Sequence, residues 1–370
     1  MSWLTKRMNK FDQVIQIANT QDSFHELERL MSKKQDKDIS LVSRESVEFF
    51  ASMFKEIDGK TYALLRSATI PSDIHTDVEY QYLPESSLKN FMDVLSKHVS
   101  DDTLGWLFLR SCKETYIPRF LSVITQRNTV KEALEQFCTV LKKESTGVNI
   151  HLENAGNTWW LVREKSGLDE TWFKYAEMFS VLCISELLRA LSNDEWKPAR
   201  IGVQSQNIEE FSQLPSLEFA QFFIERPVTA VEIPESVLLS PVRISTPIKA
   251  YTHPLTTQEL ESLSFRELFT LAIKPYLSMG KLPIKIAAEI LRMNVRTLQR
   301  KLSAENIVYK QFIEDLVFEQ VSKRIIESKE SITDIANRFG YSDAAHFTRS
   351  FKRVFGCSPS KYRAKHKIRK

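Results

Sequence analysis

One nine-residue pattern occurs twice near the C-terminus and constrains the fold more than any other feature of the 370 residues. Asn294-Val295-Arg296-Thr297-Leu298-Gln299-Arg300-Lys301-Leu302 is echoed at an offset of 49 residues by Asp343-Ala344-Ala345-His346-Phe347-Thr348-Arg349-Ser350-Phe351. The echo pairs Leu298 with Phe347, Arg300 with Arg349 and Leu302 with Phe351. On a helix of about 3.6 residues per turn, Val295, Leu298 and Leu302 form one apolar stripe and Arg296, Gln299 and Arg300 share the opposite face. One face docks and the other points outward.

Just upstream of each copy lies a short apolar segment, Ile286-Ala287-Ala288-Glu289-Ile290-Leu291 and Ile335-Ala336-Asn337-Arg338-Phe339. Helix, tight turn, helix is therefore written twice. Asn294 is suited to accept from the free N–H groups of a first helical turn, as is Ser342 or Asp343 in the second unit. Gly340 supplies a left-handed residue that ends the helix before it. The first unit has no glycine in its turn.

These blocks resemble the DNA-binding domain of AraC-type transcriptional regulators. The likeness rests on Arg296-Thr297-Leu298-Gln299-Arg300-Lys301-Leu302, on Ile335-Ala336 with Phe339-Gly340-Tyr341-Ser342-Asp343, on His346-Phe347, Arg349 and Phe351-Lys352, and on Pro359 with Tyr362-Arg363. It covers the last hundred or so residues. Arg292 departs from the pattern, standing where the family's first turn usually has glycine. A left-handed non-glycine costs on the order of 1 kcal/mol, so a slightly different turn is expected there.

Arginine can donate two parallel hydrogen bonds to guanine, and glutamine can pair with adenine, each contact discriminating by about 1–3 kcal/mol. Arg296, Gln299 and Arg300 are the expected base readers of the first unit; His346 and Arg349, with Ala345 against a thymine methyl, are those of the second. Lys301, Lys352 and Arg353 have stems long enough to reach phosphates. Between the units, apolar residues at 309, 312, 313, 316, 317, 321 and 325 predict a linker helix over 309–326. The resemblance implies that this helix presents both readers to successive major-groove segments, about 34 Å apart.

Charge follows the same division. The chain has 51 basic and 47 acidic residues, yet 281–370 holds 20 Lys and Arg against 9 Asp and Glu. That leaves an acidic body carrying a basic end, the footprint of a nucleic-acid-binding domain joined to something else. Six cations lie in 361–370 alone.

With 42% hydrophobic and 26% charged residues, the chain reads as globular and long enough for two or three domains. No apolar run approaches a membrane span and no signal-peptide core is evident, so a cytoplasmic location is expected. Cys112, Cys138, Cys183 and Cys357 show neither metal-type pairing nor a disulfide framework, and read as reduced, mostly buried thiols. No metal, cofactor or catalytic residue is expected.

Before the basic end the patterns are mixed. Helices are predicted over 88–98 and 129–142, then a hairpin, 147–153 and 158–164, across Asn154-Ala155-Gly156-Asn157. A long apolar helix over 170–192 and further strands at 200–204, 220–225 and 228–233 complete an α+β domain. Pro241, Pro247 and Pro254 mark a linker. The expected fold is thus an α+β N-terminal domain followed by an all-α domain with two helix-turn-helix units joined by a linker helix. The divisions are a helical extension (1–50), an α+β domain (51–240), a linker (241–262) and the DNA-binding domain (263–370).

The order of elements over residues 60–240 also resembles, more loosely, the effector-binding and dimerisation domain of one branch of the same regulators. The likeness lies in Leu64-Leu65-Arg66, Thr129-Val130 with Ala133-Leu134, and the hairpin followed by a long helix. It implies a small-molecule effector and a homodimer. Trp159, Trp160 and Arg163 are the ligand-binding candidates, although alternation along a strand sends the two tryptophans to opposite faces. Part of the 170–192 helix is a candidate subunit contact.

Three functions stay open at this point. The first is a ligand-responsive DNA-binding regulator, which the resemblance makes an activator touching RNA polymerase. The second is a DNA-repair enzyme on the same fold, which would need a zinc-bound or activated cysteine that these scattered thiols do not offer. The third is a ligand-independent regulator whose N-terminal domain only dimerises or binds protein.

Overall fold

The computed structural model describes residues 39–366 except 58–60, 77–78, 126–127, 155–157, 195, 243, 245–254 and 280–281. Residues 1–38 of the expected extension, 155–157 of the hairpin turn, Pro247 and Pro254 of the linker, and 367–370 of the basic tail lie outside the described residues.

The N-terminal half begins with β1 (Leu41–Ser43), α1 (Arg44–Ser52), a 3-10 turn and α2 (Thr61–Ser67). Then come β2 (Tyr82–Pro84), α3 (Ser86–His98), α4 (Asp101–Ser111), a π-helical turn, α5 (Ile117–Val123) and α6 (Val130–Glu144). The hairpin of β3 (Asn149–Asn154) and β4 (Trp159–Glu164) precedes the long α7 (Trp172–Leu191). The half closes with β5 (Arg200–Gly202), α8 (Glu209–Ser212), β6 (Gln221–Phe223), β7 (Thr229–Ile233) and α9 (Glu235–Leu238). Serine and threonine start several of these helices: the side chains of Ser43, Ser100 and Thr129 accept from Ser46 N, Thr103 N and Glu132 N.

The five-stranded sheet runs β3-β4-β7-β5-β6, antiparallel except for the β5–β6 pair. Leu161 and Ile201 both stand opposite Val231, so one sheet face carries a continuous apolar row. Helix α7 packs on β7 and is covered by α3, α4 and α6. Every residue from Trp172 to Leu191 is buried or half-buried. Its apolar character on several sides is therefore largely spent inside the domain, with Lys174, Tyr175, Ala176, Ser180, Arg189 and Ala190 half-buried at its surface.

Residues 39–50 are no appendage either. Val42, Val47, Phe49 and Phe50 lie in the N-terminal core, so the domain starts before residue 51. Strand β1 pairs with β2 antiparallel, Val42 opposite Leu83. Because alternate residues point to opposite faces, this ribbon serves two cores. Val42 and Leu83 face the N-terminal core, while Leu41 and Tyr82 join the core of the C-terminal half.

The C-terminal half is all helical: α10 (Thr257–Ser262), α11 (Phe265–Ile273), a 3-10 turn, α12 (Ile284–Ile290), α13 (Val295–Ala304), α14 (Tyr309–Glu327), α15 (Ile332–Arg338), α16 (Ala344–Phe355) and α17 (Pro359–His366). The expected linker of 241–262 is shorter at both ends. Pro241 bridges back to Thr129, and α10 is a helix with a capping box between Thr256 and Glu259 whose Leu260 enters the C-terminal core. Helix α14 is the central strut, burying Phe312, Ile313, Val317, Phe318, Val321 and Ile325. Around Phe318 stand Tyr341 and Phe351 at 6.0 Å, Phe347 at 6.3 Å and Phe355 at 6.4 Å between ring centroids.

Candidate nucleic-acid interface

Both helix-turn-helix units close their turns the same way. In the first, Arg292 N donates to Glu289 O at 3.0 Å and Met293 N to Ala288 O at 2.8 Å. In the second, Gly340 N donates to Asn337 O at 3.0 Å and Tyr341 N to Ala336 O at 2.9 Å. Arg292 sits at φ 50° and Gly340 at φ 78°, so the arginine takes up the left-handed conformation that a glycine would. Arg292 thus keeps the left-handed conformation that its side chain was expected to disfavour, and the two turns differ instead by one residue in length. The strain is tolerated because the guanidinium is held on three sides, as described below.

The second helix of each unit is capped by the side chain of the residue before it, which accepts from the second N–H of the helix. Asn294 Oδ1 accepts from Arg296 N and Asp343 Oδ1 from Ala345 N, each at 2.8 Å. The hydrogen bonds from Ala345 and His346 hold the Asp343 carboxyl below its ordinary range. The turns correspond at an offset of 48 residues and the caps at 49, since Ser342 adds one residue to the second turn.

Leu298 and Leu302 of α13, like Phe347 and Phe351 of α16, are fully inside the core. That rotation leaves Arg296, Gln299 and Arg300 exposed on α13 and Ala345, His346 and Arg349 exposed on α16. The Arg349 side chain is 71% accessible, with Asp343 Oδ2 3.9 Å from its Nη2. The His346 ring lies 5.7 Å from that of Tyr341.

The three phosphate candidates differ. Lys352 is exposed and Lys301 half-buried. Arg353 is ion-paired to Glu314 of α14 and so helps to hold α16 against the central strut. Arg363 donates to the carbonyl of Ile325 at 2.8 Å, tying α17 to the end of that strut.

Arg292 makes contacts that the sequence pattern did not reveal, although an arginine in a glycine position was their signal. Its Nε donates to Asn90 Oδ1 at 2.8 Å, its Nη1 to Glu170 Oε2 at 2.7 Å and its Nη2 to Asp93. Ser86 donates to the carbonyl of Ile290, the last residue of α12, and Ser87 lies 3.0 Å from the hydroxyl of Tyr276. The first helix-turn-helix unit is thus bonded directly to α3 and to the loop before α7.

Of the ligand candidates, Arg163 is buried and lines a cavity of about 120 Å³ between β3, β4, α1, α3, α6 and α7. Trp159 and Trp160 do not line it; they lie under Lys131 at 4.5 Å and Arg200 at 5.5 Å. Cys112, Cys138 and Cys183 are buried and Cys357 half-buried, and burial pushes the Cys138 thiol up to about 12. Among the described residues no group of three or more His, Cys, Asp or Glu side chains could hold a metal ion, and no helix is long and apolar enough to cross a membrane.

A family described as "Helix-turn-helix domain" matches residues 287–365. The HTH-type transcriptional regulator VqsM of Pseudomonas aeruginosa is 33% identical over 76 residues, 20% of this chain and 23% of that protein. The transcriptional activator NphR of a Rhodococcus species is 28% identical over 74 residues, 20% of this chain and 22% of that protein. The match thus spans under a quarter of these relatives' own length. The crystal structure of the transcriptional regulator CdpR from Pseudomonas aeruginosa aligns with 82% of this chain and 96% of that one at 17% identity, with a TM-score of 0.35 that is too low to carry an argument.

Proposed function

Because its C-terminal residues form a helix-turn-helix domain of the AraC type, we propose that this chain is a sequence-specific regulator of transcription that reads double-stranded DNA with α13 and α16. The observation that carries this reading is the shared rotation of the two capped helices. Each buries its apolar stripe on one core and turns outward the side chains that can read base edges, Arg296, Gln299 and Arg300 on one and Ala345, His346 and Arg349 on the other. Lys352 and Lys301 contribute to phosphate contact without reading sequence.

The regulator acts as an activator, which requires contact with RNA polymerase; the relative NphR is named a transcriptional activator. It is controlled by a small molecule in the N-terminal domain and works as a homodimer in the cytoplasm. The clamp of Asn90, Asp93 and Glu170 on Arg292 supports control from that domain, since any shift of α3 or of the loop before α7 moves the turn that aims α13. The test is a selection of bound host-genome fragments by the full-length protein. Recovery of a shared motif with two half-sites about one helical turn apart is the expected result. Recovery of fragments with no common sequence contradicts it.

A further inference from the structure

The cavity beside Arg163 carries an inference about ligand chemistry, one that rests on the reading of the N-terminal domain as a sensor. Its walls are mainly apolar, with Phe50, Phe137, Ile150 and Phe179 among them. At about 120 Å³ it is comparable with the ~150 Å³ cavities that take up benzene. Five charged side chains also line it: Glu85, Lys89, Glu144, Arg163 and Lys165. Four of them are accounted for. Glu144 accepts from Arg119 at 2.8 Å and from Ser46 at 2.7 Å, and Glu85 accepts from Lys165 and from Ser145 at 3.3 Å. Lys165 also donates to the Gly147 carbonyl at 2.9 Å, and Lys89 lies 4.7 Å over the Trp172 ring.

Arg163 is the exception. It is only 6% exposed, its Nη1 has no hydrogen-bond partner, and it makes no ion pair among the described residues. The buried carboxylate of Glu177 is occupied elsewhere, by Gln204 N, Ser205 N and the Thr229 hydroxyl. Trp172 Nε1, also on the cavity wall, is a second buried donor with no acceptor. Glu177 and Glu85 are near enough to act on Arg163 electrostatically, but neither bonds to it, and a buried guanidinium with an unsatisfied N–H is costly, as is a buried donor without an acceptor. Three cations against two carboxylates leave the lining one positive charge in excess, which suits a monoanion.

We propose that this cavity binds a small monocarboxylic acid with a compact apolar body, its carboxylate accepting from Arg163 and the body lying among the phenylalanines. The site is also placed to report its occupancy. Glu85 and Lys89 line both this cavity and the cleft that contains Arg292, and Trp172 stands two residues from Glu170, which holds Arg292.

The experiment titrates the full-length protein with benzoate and hexanoate, and with benzamide and hexanamide as neutral matches, by calorimetry, while DNA affinity is followed in parallel. The expected result is saturable binding of at least one acid, ten-fold or more tighter than its amide. In Arg163→Gln that preference disappears, and in Arg163→Lys it is partly kept. Acid and amide binding alike, or no binding of any of the four, overturns the proposal. A preference retained in Arg163→Gln does so too. Binding that leaves DNA affinity unchanged upholds the site and contradicts ligand control, whereas a DNA response to an acid that Arg163→Gln binds equally well upholds control and contradicts the site.

Discussion

Arg292 and Glu170 meet across the boundary between the two halves of the chain, Nη1 to Oε2 at 2.7 Å. Arg292 occupies a left-handed turn position at φ 50°, where a side chain is ordinarily a liability. Here the side chain is one of the contacts between the N-terminal half and the first helix-turn-helix unit, so backbone strain and bonding between the halves belong to one residue.

Two substitutions separate those roles. Arg292→Ala removes the clamp and keeps the strain, whereas Arg292→Gly removes both. Arg292→Gly is therefore expected to be more stable than Arg292→Ala by about 1 kcal/mol in urea unfolding. Both should weaken any influence of the N-terminal half on DNA affinity equally. Equal stability of the two variants contradicts the strain argument.

The salt dependence of DNA binding distinguishes the cations on α16. Lys352→Ala is expected to lower the slope of log affinity against log salt by about one, with a similar loss on all sequences. Arg353 is engaged by Glu314. Glu314→Gln should release it and raise the slope, measured by fluorescence anisotropy over a salt series. An unchanged slope means that Arg353 does not face the phosphates even when released.

Glu85 and Lys165 give a pH dependence. Burial alone would raise the Glu85 carboxyl, but the adjacent Lys165 ammonium overrides it and holds the group below its ordinary value of 4.5. A carboxylate depressed in the folded state stabilises above its unfolded value, and that contribution is lost as pH falls through the folded value. Glu85→Gln also leaves Lys165 buried without its partner. The stability gap between wild type and Glu85→Gln should be widest near neutral pH and shrink below about 4.5. A gap that stays constant down to pH 3 contradicts the assignment.

Phe318 holds α14 against the second unit through Tyr341, Phe347, Phe351 and Phe355. Phe318→Ala is expected to cost about 3–5 kcal/mol in urea unfolding, as for other large core truncations. A loss under about 1 kcal/mol would mean that the aromatic cluster collapses around the gap.

The C-terminal half was legible because its signals are local. A cap residue, an apolar stripe and a turn glycine each act within one or two turns of chain, and Asn294, Leu298, Leu302 and Gly340 all occupy the places that this logic gives them. The hairpin and α7 were legible for the same reason. What escaped depends on partners distant in sequence. The three-residue β1 shows no periodicity long enough to read, and its pairing with β2 spans some forty positions. Arg163 could be noticed as a charge on a strand, but its isolation follows from Glu177, Glu85 and Glu144 being bonded to other groups. The left-handed conformation of Arg292 escaped because its local cost was weighed without Asn90, Asp93 and Glu170.

The central claim is that α13 and α16 read separate segments of one DNA site. The most direct measurement is selection from a random-sequence duplex library with the full-length protein, Arg300→Ala and Arg349→Ala, all at one salt concentration. The expected result is a motif with two half-sites about one turn apart, in which Arg300→Ala relaxes base choice in one half only and Arg349→Ala in the other. Loss of preference in the same half by both variants, or an unaltered motif in both, contradicts it.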